Sequence, residues 1–165
     1  MKKILSSKEY VKSAMFGLND ALVSTTGVIA GVSFGTSQKQ VVVLAGVVTI
    51  LVEALSMGVG EYMSAHTADQ LDKPSVNRKS AIKSGVVMWA SYTLGGLVPL
   101  ITIILSPIQT GRYLAIAAAL AGLFALGYYK AKFVGVNPIK SALEVFLLGG
   151  ATTLIGVIAG VVLKV

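Results

Sequence analysis

No cysteine occurs in the 165 residues, which excludes disulfide frameworks, thiolate zinc sites, iron–sulfur ligation and cysteine nucleophiles. His66 is the one histidine, so a cluster of imidazoles is excluded as well. Charge is scarce: 13% of residues are Asp, Glu, Lys or Arg against 55% hydrophobic, about half the ~25% charged share of an ordinary soluble domain. With a mean hydropathy of +0.80, that balance argues against a water-soluble globule. No glycine-rich loop with a lysine is present to cradle a phosphate. A net charge of +7 suggests nucleic acid only where a soluble fold can present a basic face, and no nucleic-acid partner is expected here.

What is abundant is apolar sequence in blocks. Five stretches, Ala14 to Phe34, Val41 to Met63, Ser84 to Leu105, Tyr113 to Tyr129 and Ala142 to Leu163, are each close to the ~20 residues a helix needs to cross the hydrocarbon layer. Glycine and alanine are too frequent, and alternation too weak, for transmembrane strands. The expectation is an all-α integral membrane protein of five transmembrane helices, a single domain over residues 1–165. The longest polar break, Ser64 to Lys83, reads as a water-exposed linker.

Lysine and arginine divide unevenly between the alternate sides. Eleven fall on the side of the N-terminus, from Lys2 through Lys73, Arg78 and Lys83 to Lys140, and only Lys39, Arg112 and Lys164 on the other. The positive-inside rule then puts the N-terminus in the cytoplasm and the C-terminus outside. The first apolar stretch has no cleavage site before a mature domain and reads as a span, not a signal peptide. Lack of a targeting extension favours a prokaryotic plasma membrane, or a vacuolar membrane in a eukaryote. The basic residues would meet anionic membrane lipid, and Trp89, Tyr128 and Tyr129 fit an interfacial aromatic belt.

Gly27, Gly31 and Gly35 recur at four-residue spacing on the first span, removing bulk from one face so that another backbone can approach closely. Such a stripe serves either helix packing within one molecule or a dimer seam. Gly156 and Gly160 repeat it on the fifth span.

The acids carry the sharpest signal. Of the seven, Asp20, Glu53, Glu61 and Glu144 fall within or at the edge of spans, where an ionisable group costs ~2.5 kcal/mol or more at the bilayer centre and demands a partner, a proton or a cation. No lysine or arginine lies centrally in any span to neutralise them. Glu53, Met57 and Glu61 are four apart, so at ~100° per residue they share a helix face, which Thr49, Ala65 and Asp69 extend. Counting from the span ends puts Asp20 and Met57 at similar depth. Carboxylates with one thioether suit Fe2+ or a neighbouring first-row ion better than Mg2+ or Ca2+. Asp20, Glu53, Met57 and Glu61 are the candidate metal ligands, with His66 and Asp69 as a candidate cytoplasmic entry. The alternatives are packing for Met57, a protonated, hydrogen-bonded acid for Asp20 and Glu53, solvation for Glu61 and His66, and a helix-dipole role for Glu144.

Phe16 to Gly35, FGLNDALVSTTGVIAGVSFG, and Glu53 to Ser64, EALSMGVGEYMS, resemble the vacuolar iron transporter family. Tyr92 to Leu100, YTLGGLVPL, and Lys130 to Ala142, KAKFVGVNPIKSA, are similar to its third span and its connection from span four to five. The resemblance implies a five-span homodimer that moves Fe2+ or related ions such as Mn2+ out of the cytosol in exchange for protons. It also implies that Asp20, Glu53 and Met57 line the metal path near the dimer axis. Metal and protons are then transported species, and no permanently bound cofactor is expected. Two departures stand out: Ala21 replaces the usual glycine after Asp20, and the connection Ser64 to Lys83 lacks the long metal-binding insertion of the plant members. The rival readings are an intramembrane Mg2+-dependent lipid-modifying enzyme and a membrane scaffold without transport.

Overall fold

Five helices in a computed structural model, which describes residues 2–71 and 78–164, account for almost all of the described chain: α1 Lys2–Gly35, α2 Lys39–Leu71, α3 Arg78–Leu105, α4 Ile108–Val134 and α5 Pro138–Val162. Each is long and apolar enough to cross a membrane, the shortest having 25 residues. Helices satisfy their backbone groups internally, which is what hydrocarbon requires. The chain is an all-α integral membrane protein with five transmembrane helices.

Every helix outruns the apolar stretch that marks it. Hydropathy locates only the part in hydrocarbon, whereas the hydrogen-bond ladder continues while residues favour it. Most of the expected linker Ser64 to Lys83 is accordingly helical, α2 running to Leu71 and α3 starting at Arg78. Asp72, Lys73, Pro74 and Asn77 lie outside the described residues.

The centre of the bundle is α1, which packs against all four other helices, while α2 leans on α3 and α1, and α5 on α1 and α4. Small residues permit this closeness. Ala21 is wholly buried, and a Cβ placed on Gly95 would come 2.9 Å from its methyl. Alanine after Asp20 is therefore accommodated because α3 presents a glycine to it. On the far side, Gly31 faces Gly156 and Gly35 faces Gly160 across the α1–α5 contact. Gly27 differs: its carbonyl meets Gly156, but its own missing side chain would point into open space.

Away from these contacts, large apolar residues such as Leu44, Leu51 and Leu55 on α2 and Leu154 and Ile158 on α5 face outward, as a lipid-solvated surface demands. The described loops close tightly. Lys39 Nζ donates to the carbonyls of Ile104 (2.8 Å) and Ser106 (2.9 Å), covering the end of α3. Gly135, at φ 79°, ends α4 in a left-handed turn, and Asn137 Oδ1 caps α5 by accepting from the N–H groups of Ile139 and Lys140.

Candidate metal path between the first three helices

On α2 the four-residue ladder Val42, Gly46, Ile50, Ala54 and Gly58 is buried. The adjacent line of Thr49, Glu53, Met57, Glu61, Ala65 and Asp69 is half-buried throughout, and the next positions round, among them Val52, Ser56 and Gly60, are exposed. The carboxylate–thioether stripe thus runs along the margin of the packed face, where polar atoms stay reachable yet can be held by a neighbouring helix.

That neighbour is α1. Ser24 Oγ donates to Glu53 Oε2 at 3.1 Å, and Ser13 Oγ, buried, donates to Glu61 Oε1 at 2.6 Å. The same Ser13 hydroxyl lies 2.9 Å from the Glu9 carbonyl, so one proton is shared between two acceptors. Between these anchors Met57 packs against a buried cluster of Ala21, Ala54 and Tyr92. The antiparallel register follows. With Ser24 opposite Glu53, moving four residues back along α1 and four forward along α2 brings Asp20 level with Met57, about 6 Å further along the bundle.

Asp20 is half-buried, and among the described residues the side-chain hydrogen bonds of this region run to Glu53 and Glu61, not to Asp20. Asp20 also borders a cavity of about 610 Å³ between α1, α4 and α5, whose polar lining includes Lys8, Lys12, Asn19, Lys130 and Glu144. Glu144, assigned by sequence to the start of a span, thus shares a cavity with Asp20.

The two candidate entry residues stay on the last turns of α2. His66 and Asp69 are half-buried, and the His66 ring lies 5.7 Å from that of Tyr62 one turn back. Gly31 and Gly35 pack within the molecule against α5, and all three glycines of the stripe border an apolar groove of about 780 Å³ together with Val28, Val32 and Ile155. Among the described residues no three His, Asp or Glu side chains converge on one point that could hold a metal. One chain brings together Glu53, Met57 and Asp20 as neighbours in depth, with Glu61 one turn beyond Met57.

Three residues of this site carried no separate sequence signal. Ser13 and Ser24 are ordinary small residues of a membrane helix, and Tyr92 sits in an apolar run. Tyr92 is 0% exposed; its hydroxyl donates to Glu53 Oε2 and lies 2.5 Å from Ser24 Oγ. A buried phenol needs such a partner, but which partner depends on helix packing.

Known proteins resemble this chain over most of its length. The model of the VIT family matches residues 11–81 and 65–161. Vacuolar iron transporter 1 of Arabidopsis thaliana is 23% identical over 209 residues, covering 90% of this chain and 84% of the relative. Vacuolar iron transporter 1 of Oryza sativa subsp. japonica is 24% identical, covering 87% and 81%. Vacuolar iron transporter homolog 4 of Arabidopsis thaliana is 23% identical over 153 residues, covering 86% and 77%. An alignment of 209 residues exceeds this chain's 165, so that relative carries residues this chain lacks. The two family-model segments overlap at 65–81, which points to the connection from α2 to α3 as the place of the excess. Alignment with homolog 4 shows no such excess. With family-model matches that together reach from the first helix into the fifth, and relatives aligned across more than four fifths of its length, the chain belongs to the VIT family.

Proposed function

We propose that this protein is a transporter that moves Fe2+, and also Mn2+, out of the cytosol in exchange for protons. Asp20, Glu53 and Met57 form the ion site, Glu61 stands at its cytoplasmic end, and His66 and Asp69 collect the ion at the tip of α2. The observation that carries this reading is the α1–α2 register, in which two carboxylates and a thioether from different helices lie at neighbouring depths in a membrane bundle. The names of the relatives, vacuolar iron transporters, support iron as cargo. Two carboxylates and a thioether leave positions on a first-row divalent ion for water or further protein donors. A second copy related by a twofold axis would supply such donors, and the working unit in this reading is a homodimer.

Coupling follows from ligand chemistry. A carboxylate binds a metal only when deprotonated, so an ion arriving from the cytosol displaces protons, and protons arriving from the far side displace the ion. The distribution of lysine and arginine sets the direction, with the N-terminus in the cytoplasm, and the membrane is a prokaryotic plasma membrane. The test is uptake of Fe2+, Mn2+, Co2+ and Zn2+ into proteoliposomes with and without a pH gradient. Fe2+ uptake that rises with an acidic lumen is expected; uptake of no metal under either condition overturns the proposal.

Met57→Ala separates ligand from packing. Loss of the only soft donor is expected to leave transport in place while compressing the preference among Fe2+, Mn2+ and Zn2+ by about tenfold, measured as competition in the same vesicles. An unchanged preference profile returns Met57 to packing against Tyr92.

A further inference from the structure

The residue that joins this site together is on a third helix. Tyr92 belongs to α3, which supplies none of the proposed ligands, yet it touches two of them. Its hydroxyl donates to Glu53 Oε2, and its ring forms the buried cluster with Ala21 and Ala54 on which Met57 packs. Ser24 reaches both the Tyr92 hydroxyl, at 2.5 Å, and the same carboxylate oxygen, at 3.1 Å. Two hydroxyls hold only two protons, so Tyr92 donates to Glu53 while Ser24 turns its proton to either neighbour. Among the described residues, both hydrogen bonds to Glu53 fall on Oε2 and none on Oε1.

A carboxylate held by one oxygen has lost the freedom to rotate, and its second oxygen points in a set direction. A thioether backed by a rigid ring is confined in the same way, whereas methionine on its own is the most adaptable of apolar side chains. We infer that Tyr92 is a positioning residue for the transported ion: with Ser24 it clamps Glu53 by Oε2 so that Oε1 is presented as a single donor, and its ring sets Met57 at the adjacent level. This rests on the transport reading above. It adds to that reading the residue that makes hard and soft donors act as one site, and it divides Tyr92 into two separable parts, a hydroxyl that serves affinity and a ring that serves selectivity.

The division can be tested. Tyr92→Phe keeps the ring and removes the hydroxyl. It is expected to raise the apparent KM for Fe2+ uptake by about tenfold, the loss of a hydrogen bond to a charged group, with the maximal rate changed less than about threefold and the order of metal preference intact. Tyr92→Leu removes the ring as well and is expected to add a narrowed Fe2+ over Zn2+ preference. Ser24→Ala, which removes the other donor to the same oxygen without touching the core, is expected to raise KM by a smaller factor, and it serves if the Tyr92 variants fail to fold. A purely structural Tyr92 predicts less folded protein with wild-type KM in what remains, and that result overturns the inference while leaving the transport reading intact. Fe2+-dependent thermal stabilisation provides a second readout, expected to shrink in Tyr92→Phe. Wild-type protein that neither moves metal nor is stabilised by it would overturn the transport reading, and this inference with it.

Discussion

Asp20→Asn protein is expected to reach the membrane, fold as the wild type does, and move no Fe2+ into proteoliposomes. Asparagine has nearly the same shape as aspartate but carries no charge and cannot release a proton to make way for a cation. Losing even an indirect partner of a bound metal costs up to ~100-fold in affinity or activity, so losing a direct carboxylate should reduce uptake by at least that factor. Folding should not suffer, since the hydrogen bonds around the site serve Glu53 and Glu61. The measurement is uptake at equal reconstituted protein, alongside size exclusion and thermal midpoint. Robust Fe2+ transport by this variant would sink the assignment of Asp20, and a collapsed thermal midpoint would make the residue structural.

The second large effect concerns stability and distinguishes glycines that look equivalent in sequence. At Gly31 a Cβ would stand 2.8 Å from the backbone oxygen of Gly156, and a backbone cannot step aside as a flexible side chain would. Gly31→Leu must therefore push α1 from α5. Overpacking a filled contact costs ~1–3 kcal/mol, and a whole isobutyl group at a helix–helix contact lies at or above the upper end. Near 2–4 °C per kcal/mol for a chain of this size, the expected fall in thermal midpoint is ~6–12 °C or more. Gly27→Ala is the control. Nothing lies within 4 Å of its added methyl, and alanine is the better helix former by ~1 kcal/mol, so the monomer should be unchanged or slightly more stable. Equal destabilisation by the two substitutions would refute the asymmetry.

That contrast shows where reading the chain stops. The spacing of Gly27, Gly31 and Gly35 marks a smooth helix face, but spacing is a property of one helix and contact a property of two. The partner at Gly31 is Gly156 of α5, 125 positions away, and the direction in which α1 leans decides that a Cβ at Gly31 or Gly35 would meet the α5 backbone while one at Gly27 would meet nothing. Helix ends show the same limit in milder form. Apolar stretches mark the part of each helix that meets hydrocarbon, so Ser64 to Lys83 reads as a linker although α2 extends to Leu71.

What the sequence by itself determined about this protein is whatever is local or summed along the chain. Five runs of apolar residues dictate five helices because hydrocarbon tolerates no unpaired backbone. The i, i+4 spacing alone aligns Glu53, Met57 and Glu61. Tertiary structure decided which groups hold those side chains. Ser24 and Tyr92 meet Glu53, Ser13 meets Glu61, and Glu144 shares a cavity with Asp20, only because α1 lies centrally with α2, α3, α4 and α5 around it. Hydrogen bonds of about 3 Å and close-packed glycines are set by the offset of one helix against another, and small adjustments spread over many contacts fix that offset.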